Sequence, residues 1–85
     1  MKNNWLITFR SVTFAQKAER ILKHAAMECQ LLRTPKELSH RGCGYCLALR
    51  PEQIGYAAQL LDAEKVEYGK LYSRNYQGGY EEIYL

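Results

Sequence analysis

The spacing of apolar residues changes along the first half of the chain and predicts three elements. Residues 5–10 are rich in β-branched and aromatic side chains and alternate between two faces, as a strand does. Residues 12–27 instead carry their apolar side chains at helical spacing. The short apolar run 29–34 predicts a second strand, which Pro35 ends because proline has no N–H for a strand ladder.

The second half predicts a loop followed by strand, helix and strand. Residues 35–44 combine proline, glycine and charged side chains, which is typical of a loop. Residues 45–50 alternate as a third strand, and residues 51–64 show an apolar helical stripe with proline at the first position. Residues 66–73 resume the strand pattern. A Gln-Gly-Gly turn and a short fifth strand or ordered tail follow.

The predicted order β-α-β-β-α-β indicates a mixed α/β fold, an α+β sandwich. Two amphipathic helices would cover one face of a four-stranded antiparallel sheet, which is the ferredoxin-like plan. Residues 1–75 would form this domain, and residues 76–85 a Tyr-rich C-terminal extension. In the alternative order β-α-β-α-β-β, residues 36–42 would form a helix, but this stretch is short for one.

Composition and charge narrow the function classes. A chain of 85 residues with 47% hydrophobic and 25% charged residues fits one small domain without a large enclosed active site. The net charge of +3 is scattered, so the sequence does not predict nucleic-acid binding. The first ten residues show neither a signal-peptide core nor a membrane span, so we expect a cytoplasmic protein without a membrane partner. Three cysteines in that compartment leave at least one thiol free and reduced.

The pair Cys43 and Cys46, in the run Cys-Gly-Tyr-Cys, is the strongest chemical feature of the sequence. Such spacing suits a redox disulfide, half a zinc site, or a nucleophilic thiolate with a second thiol to resolve it. Zinc needs two further ligands, and only His24, Cys29 and His40 remain, so we expect no metal. A thioredoxin-type site would precede a helix, whereas a strand follows here.

The two cysteines are predicted to differ in exposure. Strand residues alternate faces, so Cys43 should lie in the loop and Cys46 in the sheet. This arrangement predicts a reactive Cys43, with Cys46 as a resolving thiol or as a small core residue. The remaining candidate residues would give the loop reach or stabilise an anionic sulfur, although the charged ones could equally be solvated: Lys36, His40, Arg41, Gly42 and Gly44.

Two further groups of residues are open to a functional or a structural interpretation. Thr8, Arg10 and Ser11 span the end of the first strand and the helix start, from which they could approach the loop. Ser11 would otherwise cap the helix, and Arg10 would be solvated. The C-terminal tyrosines favour a β-hairpin, with an interface or base stacking as alternatives, and they recur every four residues: Tyr68, Tyr72, Tyr76, Tyr80 and Tyr84.

Three segments, LITFRSVTFAQKAERILKHA, LLRTPKELS and GCGYCLAL, occur in an order that resembles a small bacterial family of selenium/sulfur carrier-like proteins. The resemblance extends from Trp5 to Tyr68. It implies that sulfur or selenium is moved as a cysteine-bound persulfide or selenosulfide between a donor, such as a cysteine desulfurase, and an acceptor enzyme. Cys43 matches the family's Cys-Gly position, whereas the role of Cys46 transfers less directly. The pair His40-Arg41 and the Tyr-rich extension depart from the family pattern.

The resemblance favours a carrier protein rather than a stand-alone enzyme, with no cofactor of its own. Two other classes stay open: a non-catalytic interaction or regulatory module, which could be a homodimer, and a small thiol-disulfide redox protein. A low thiol pKa at Cys43 alone would favour the carrier. A reversible disulfide between Cys43 and Cys46 would favour the redox protein, and unreactive thiols would favour the module.

Overall fold

The computed structural model describes residues 5–39, 44–75 and 77–84, and these residues form two α-helices and five strands. The elements are β1 Trp5–Phe9, α1 Val12–His24, β2 Cys29–Arg33, β3 Tyr45–Leu49, α2 Ile54–Ala63, β4 Leu71–Arg74 and β5 Tyr80–Ile83. Short 3-10 turns precede β3 and α2, at Lys36–Leu38 and Pro51–Gln53. The mixed α/β class predicted from the sequence is confirmed.

The five strands form one antiparallel sheet in the order β2-β3-β1-β4-β5. Of the two alternatives for the C-terminal extension, strand or ordered tail, the structure shows the strand: β5 pairs with β4, so the sheet has five strands. Tyr45 pairs with Phe9 on β1 and with Arg33 on β2. This register brings the end of β1, the end of β2 and the start of β3 to the same end of the sheet.

Both helices pack on one face of the sheet. Because strand side chains alternate faces, Ile7 and Phe9 of β1 face the helices, while Leu6 and Thr8 face away. The main core lies between helices and sheet and contains Ile7, Phe9, Ala15, Ala18, Leu22, Met27, Cys29, Leu47, Leu49, Ile54, Ala57, Ala58, Leu61, Val66 and Leu71. A second, smaller cluster of Leu6, Leu38, Cys46 and Ala48 lies on the opposite face.

Helix α1 begins at Val12 as predicted but ends at His24, earlier than the predicted residue 27. At its start, the Phe14 N–H donates to Ser11 Oγ at 3.2 Å, so Ser11 is the N-cap. At its end, Ala26 adopts φ 62°, in the left-handed region, and the Met27 N–H donates to the Leu22 carbonyl at 2.9 Å. A left-handed residue closes a helix by turning the chain back over its last carbonyls.

The predicted strand 66–73 is wrong in its first half, because β4 begins only at Leu71. The Lys70 N–H donates to the side-chain Oγ1 of Thr8 at 2.9 Å instead of to a backbone carbonyl. The Thr8 N–H donates to the Lys70 carbonyl at 3.0 Å, so the two segments still run side by side. The buried Thr8 hydroxyl thus replaces a backbone carbonyl as the acceptor for Lys70, and regular pairing of β1 with β4 begins only at Leu71.

Two other predictions can be compared with the structure. The alternative helix over residues 36–42 is reduced to the three-residue turn Lys36–Leu38 within the described part of the chain. The predicted helix 51–64 begins as a 3-10 turn and becomes α-helical at Ile54. Neither described helix is long and apolar enough to span a bilayer.

Candidate functional site

Cys46 lies in the middle of the sheet, on the face opposite the helices. Its side chain is fully buried in the cluster with Leu6, Leu38 and Ala48. Its thiol donates a long hydrogen bond to the Arg33 carbonyl, with 3.9 Å between Sγ and O. Cys46 is therefore packed as a small core residue.

Burial makes Cys46 a weak nucleophile. Desolvation raises the pKa of its thiol from the ordinary 9.0 to about 11. The hydroxyl of Thr34 beside it acts in the opposite direction but is the smaller influence. Because only the thiolate attacks sulfur, Cys46 has little reactive form at neutral pH.

Thr34 marks the point where the cysteine-bearing loop closes. Its N–H donates to the Gly44 carbonyl at 3.1 Å, one step beyond the pairing of Arg33 with Tyr45. Its side-chain Oγ1 is buried and has no hydrogen-bond partner of good geometry among the described residues. Sequence reasoning did not single out Thr34, because its position becomes visible only when β2 and β3 are paired.

Cys29 lies on the other face of the sheet from Cys46. It is buried in the main core, and it pairs across the ladder with Leu49. Burial raises the pKa of its thiol, and the nearby Glu19 carboxylate raises this pKa further, while Lys23 lowers it. Cys29 is thus packed as a core residue.

Four of the predicted site residues, His40, Arg41, Gly42 and Cys43, lie outside the described residues. The chain on either side of them is described. Ser39 ends the short turn, with its N–H donating to the Lys36 carbonyl at 3.3 Å. Gly44 returns the chain to the sheet, and a Cβ added at Gly44 would meet no atom within 4 Å.

The end of the sheet next to this segment carries cationic side chains. Arg10, Arg33 and Lys36 are all exposed. The guanidinium of Arg33 lies over the Tyr45 ring at 5.5 Å from the ring centroid, a cation–π contact that the sequence did not indicate. Lys36, a predicted anion-binding residue, is therefore close in the chain to a second cation, Arg33.

The C-terminal tyrosines do not share one surface. Tyr72 and Tyr80 pack on the second cluster, from strands β4 and β5 of a hairpin. Tyr68 packs against the main core, and Tyr84 is 82% exposed. Tyr76 lies outside the described residues. The β-hairpin that the sequence favoured is confirmed.

Metal-binding side chains do not cluster in the part of the chain that the structure describes. Residues 5–39, 44–75 and 77–84 contain no group of three His, Cys, Asp or Glu side chains placed to hold an ion. Cys29 and Cys46 in particular lie on opposite faces of the sheet.

Comparison with protein families identifies the group to which the chain is related. The family described as "Putative Se/S carrier protein-like" matches residues 4–73. The chain belongs to this family. Comparison with curated proteins and with solved structures gives no match.

The Se/S carrier-like match covers most of the chain, including both helices and the Cys-Gly-Tyr-Cys segment. It confirms the family suggested by the sequence motifs. The matched region ends at Ser73 within β4, so strand β5 lies beyond it.

Proposed function

We propose that this protein carries sulfur or selenium on Cys43, as a persulfide or a selenosulfide, between a donor protein and an acceptor enzyme. The family match supports the carrier class, and it spans the segment that contains Cys43. In this role the protein is a transfer partner, and its only covalent chemistry takes place at one sulfur atom.

The burial of the other two thiols is the structural observation that carries this proposal. The chain has three cysteines, and Cys29 and Cys46 are buried with raised thiol pKa values. A carrier thiol must enter the active site of another protein and must react as a thiolate. Cys43, which lies between two glycines, is the remaining thiol that can meet both requirements.

The transfer step balances without an external oxidant or reductant. The Cys43 thiolate attacks the terminal sulfur of a persulfide on the donor's cysteine, forming a new S–S bond as the donor thiolate leaves. A nucleophile of the acceptor then attacks the terminal sulfur on Cys43, and the Cys43 thiolate is released. With selenium, the same two displacements take place at the terminal selenium atom.

Two further inferences accompany the carrier role. The strand order, with β1 and β3 inside and β2 and β4 flanking them, supports a ferredoxin-like plan to which β5 is added. The free thiols support a reducing compartment, so we place the protein in the cytoplasm. Such a carrier needs no cofactor.

Intact-mass spectrometry tests the carrier role. The reduced protein is incubated with a cysteine desulfurase and cysteine, or with the same enzyme and selenocysteine, which supplies selenium at the oxidation level of a selenosulfide. We expect the wild-type chain to gain one sulfur or selenium atom. Cys43→Ser should gain none, whereas Cys29→Ala and Cys46→Ala should gain the atom as the wild type does.

The other outcomes decide against the proposal. No mass gain on the wild-type chain, with its thiols reduced, would point to the interaction module instead. A mass gain that survives in Cys43→Ser and disappears in Cys46→Ala would move the attachment site to the sheet. Formation of a Cys43–Cys46 disulfide without any added sulfur would favour the redox protein.

A further inference from the structure

Five basic and aromatic residues lie near the same end of the sheet, by strand register or by position in the chain, and we call them the loop-exit surface: Arg10, Phe14, Arg33, Lys36 and Tyr45. Tyr45 follows Gly44, and Lys36 begins the turn that ends at Ser39; Ser39 and Gly44 are the described residues on either side of the segment that contains Cys43. Residues around a reactive segment meet any protein that reaches its thiol. The loop-exit surface is therefore where a transfer partner would make contact.

The strand register brings these residues together. Phe9 pairs with Tyr45, so the next residue, Arg10, lies beside Gly44 at this end of the sheet. On the other side of β3, Arg33 pairs with Tyr45 and its guanidinium lies over the Tyr45 ring. Three strands from distant parts of the chain thus contribute residues to the same end of the sheet.

Two further residues complete the surface from neighbouring turns. Phe14 lies in the first turn of α1, directly after Ser11, and is 40% exposed although it is a large apolar side chain. Lys36 begins the 3-10 turn that follows Thr34 and Pro35, and it is exposed. Exposed aromatic residues and arginine are both enriched at protein interfaces.

The cations of this surface lack carboxylate partners. Arg10, Arg33 and Lys36 form no ion pair with any described acidic residue. Among the described cations, Lys23, Arg50 and Lys70 are paired with carboxylates, whereas Lys17, Arg20, Lys65 and Arg74 have no ion pair either. What distinguishes Arg10, Arg33 and Lys36 is their place at the end of the sheet next to the Cys43 segment. The loop-exit surface therefore presents positive charge that is available to a partner.

We propose that the loop-exit surface docks an acidic surface on the protein that exchanges sulfur or selenium with this carrier. The proposal rests on the proposed function and adds the chemistry of the partner: carboxylates around its own reactive cysteine, with an apolar position opposite Phe14. Complementary charges increase the rate of encounter and orient the two proteins. Orientation matters here because the two sulfur atoms must meet in line for the displacement.

The small size of the patch favours a protein over a nucleic acid as the partner. Nucleic-acid footprints extend as basic stripes that follow many phosphates. Here only three of the described cations lie near this end of the sheet, and Glu37 lies beside Lys36 in the same turn. A compact patch of this kind matches a local cluster of carboxylates.

A peptide titration tests the charge preference without using Cys43. A short polyglutamate peptide is added to the ¹⁵N-labelled reduced protein at low salt, and amide chemical shifts are followed. We expect the largest shifts at Arg10, Phe14, Arg33 and Tyr45, and we expect them to disappear in high salt because exposed charges are screened. Shifts spread evenly over all exposed cations, or no binding at low salt, would overturn the proposal.

The chain offers a matched pair of double variants for this titration. Arg10→Glu/Arg33→Glu reverses two charges of the loop-exit surface and removes one Arg–Tyr stacking contact. Arg20→Glu/Arg74→Glu lowers the net charge equally and removes the equivalent contact of Arg74 with Tyr80, also at 5.5 Å. We expect the first variant to bind the peptide about tenfold more weakly, and the second to bind as the wild type does. Equal losses in both variants would show that only net charge matters.

Sulfur loading separates this proposal from the carrier proposal. Loading from a small persulfide, such as glutathione persulfide, measures the reactivity of Cys43 itself, and each variant's rate with this reagent is the reference for its rate with the desulfurase. From a cysteine desulfurase that loads the wild type, Arg10→Glu/Arg33→Glu should load about tenfold more slowly, and its control should not. If glutathione persulfide loads no variant, the carrier role fails; if the desulfurase loads both variants equally, the docking surface fails. Tighter binding of a single-stranded oligonucleotide than of the peptide, at equal charge and at the same residues, would replace the protein partner with a nucleic acid.

Discussion

The buried thiol of Cys46 should make the stability of the protein fall at alkaline pH. Its pKa rises from 9.0 in an ordinary environment to about 11 in the folded protein, because burial disfavours the thiolate. Between these two values the unfolded chain binds fewer protons than the folded one. The free energy of unfolding is therefore unaffected by this thiol's ionisation below about pH 9, and it falls as the pH rises from about 9 towards 11.

The size of the effect follows from the two pKa values. At about pH 10 the thiol is mostly ionised in the unfolded chain and mostly neutral in the folded protein. With about 1.4 kcal/mol for each pKa unit, ionisation of Cys46 lowers the free energy of unfolding by about 1.4 kcal/mol between pH 7 and pH 10. The variant Cys46→Ala lacks this contribution, although it loses about 1–2 kcal/mol at every pH because it leaves a cavity.

The measurement is urea denaturation of both proteins at the two pH values, with a phosphine reductant present. Tyr68 also has a raised pKa, because it is partly buried and lies near the Asp62 carboxylate. Its titration is common to both proteins and cancels in the difference. Wild type should lose about 1.4 kcal/mol more than Cys46→Ala on going to high pH. Equal losses would refute the assignment of Cys46 as a buried neutral thiol.

Three backbone and hydrogen-bond predictions can be tested by urea denaturation at neutral pH. Gly55→Ala in α2 should stabilise the protein by about 0.5–1 kcal/mol, because the added Cβ meets no atom within 4 Å; destabilisation would mean that the helix packs more closely there. Ala26→Gly should stabilise by about 1 kcal/mol, since φ is 62° at this position, and no gain would argue against a left-handed helix end. Thr8→Val should cost about 1–2 kcal/mol by leaving the Lys70 N–H without its acceptor, whereas Thr8→Ser should keep most of that stability. Equal costs for the two Thr8 variants would contradict the role of the hydroxyl.

The elements of the fold follow from local periodicity, whereas their corrections come from long-range contacts. The alternation from Tyr45 onward was enough to place Cys46 in a strand, and its burial agrees with that position. The late start of β4 could not be predicted, because it depends on a hydrogen bond between Thr8 and Lys70, which are 62 residues apart. The helix end at Ala26 was also missed, since no glycine marks its left-handed residue.

For the candidate site, too, local features could be predicted from the sequence, whereas features that depend on long-range contacts could not. The importance of the Cys-Gly-Tyr-Cys segment could be inferred from the residue types alone. Thr34 and the stacking of Arg33 on Tyr45 could not, because both depend on the register between β2 and β3. A register is set by the whole sheet, and one residue type at one position does not reveal it.

Strand β5 changes which edge of the sheet this protein offers to a neighbouring chain. The family match ends within β4, and without the last strand the unpaired N–H and C=O groups of β4 would form the open side of the described sheet. Open strands of this kind act as templates for pairing between molecules and so for aggregation. In this chain β5 covers β4 and brings the exposed Glu81 to the new edge, while Glu82 is paired with Lys70. Like charges on approaching copies repel each other, so Glu81 disfavours pairing of two copies through β5.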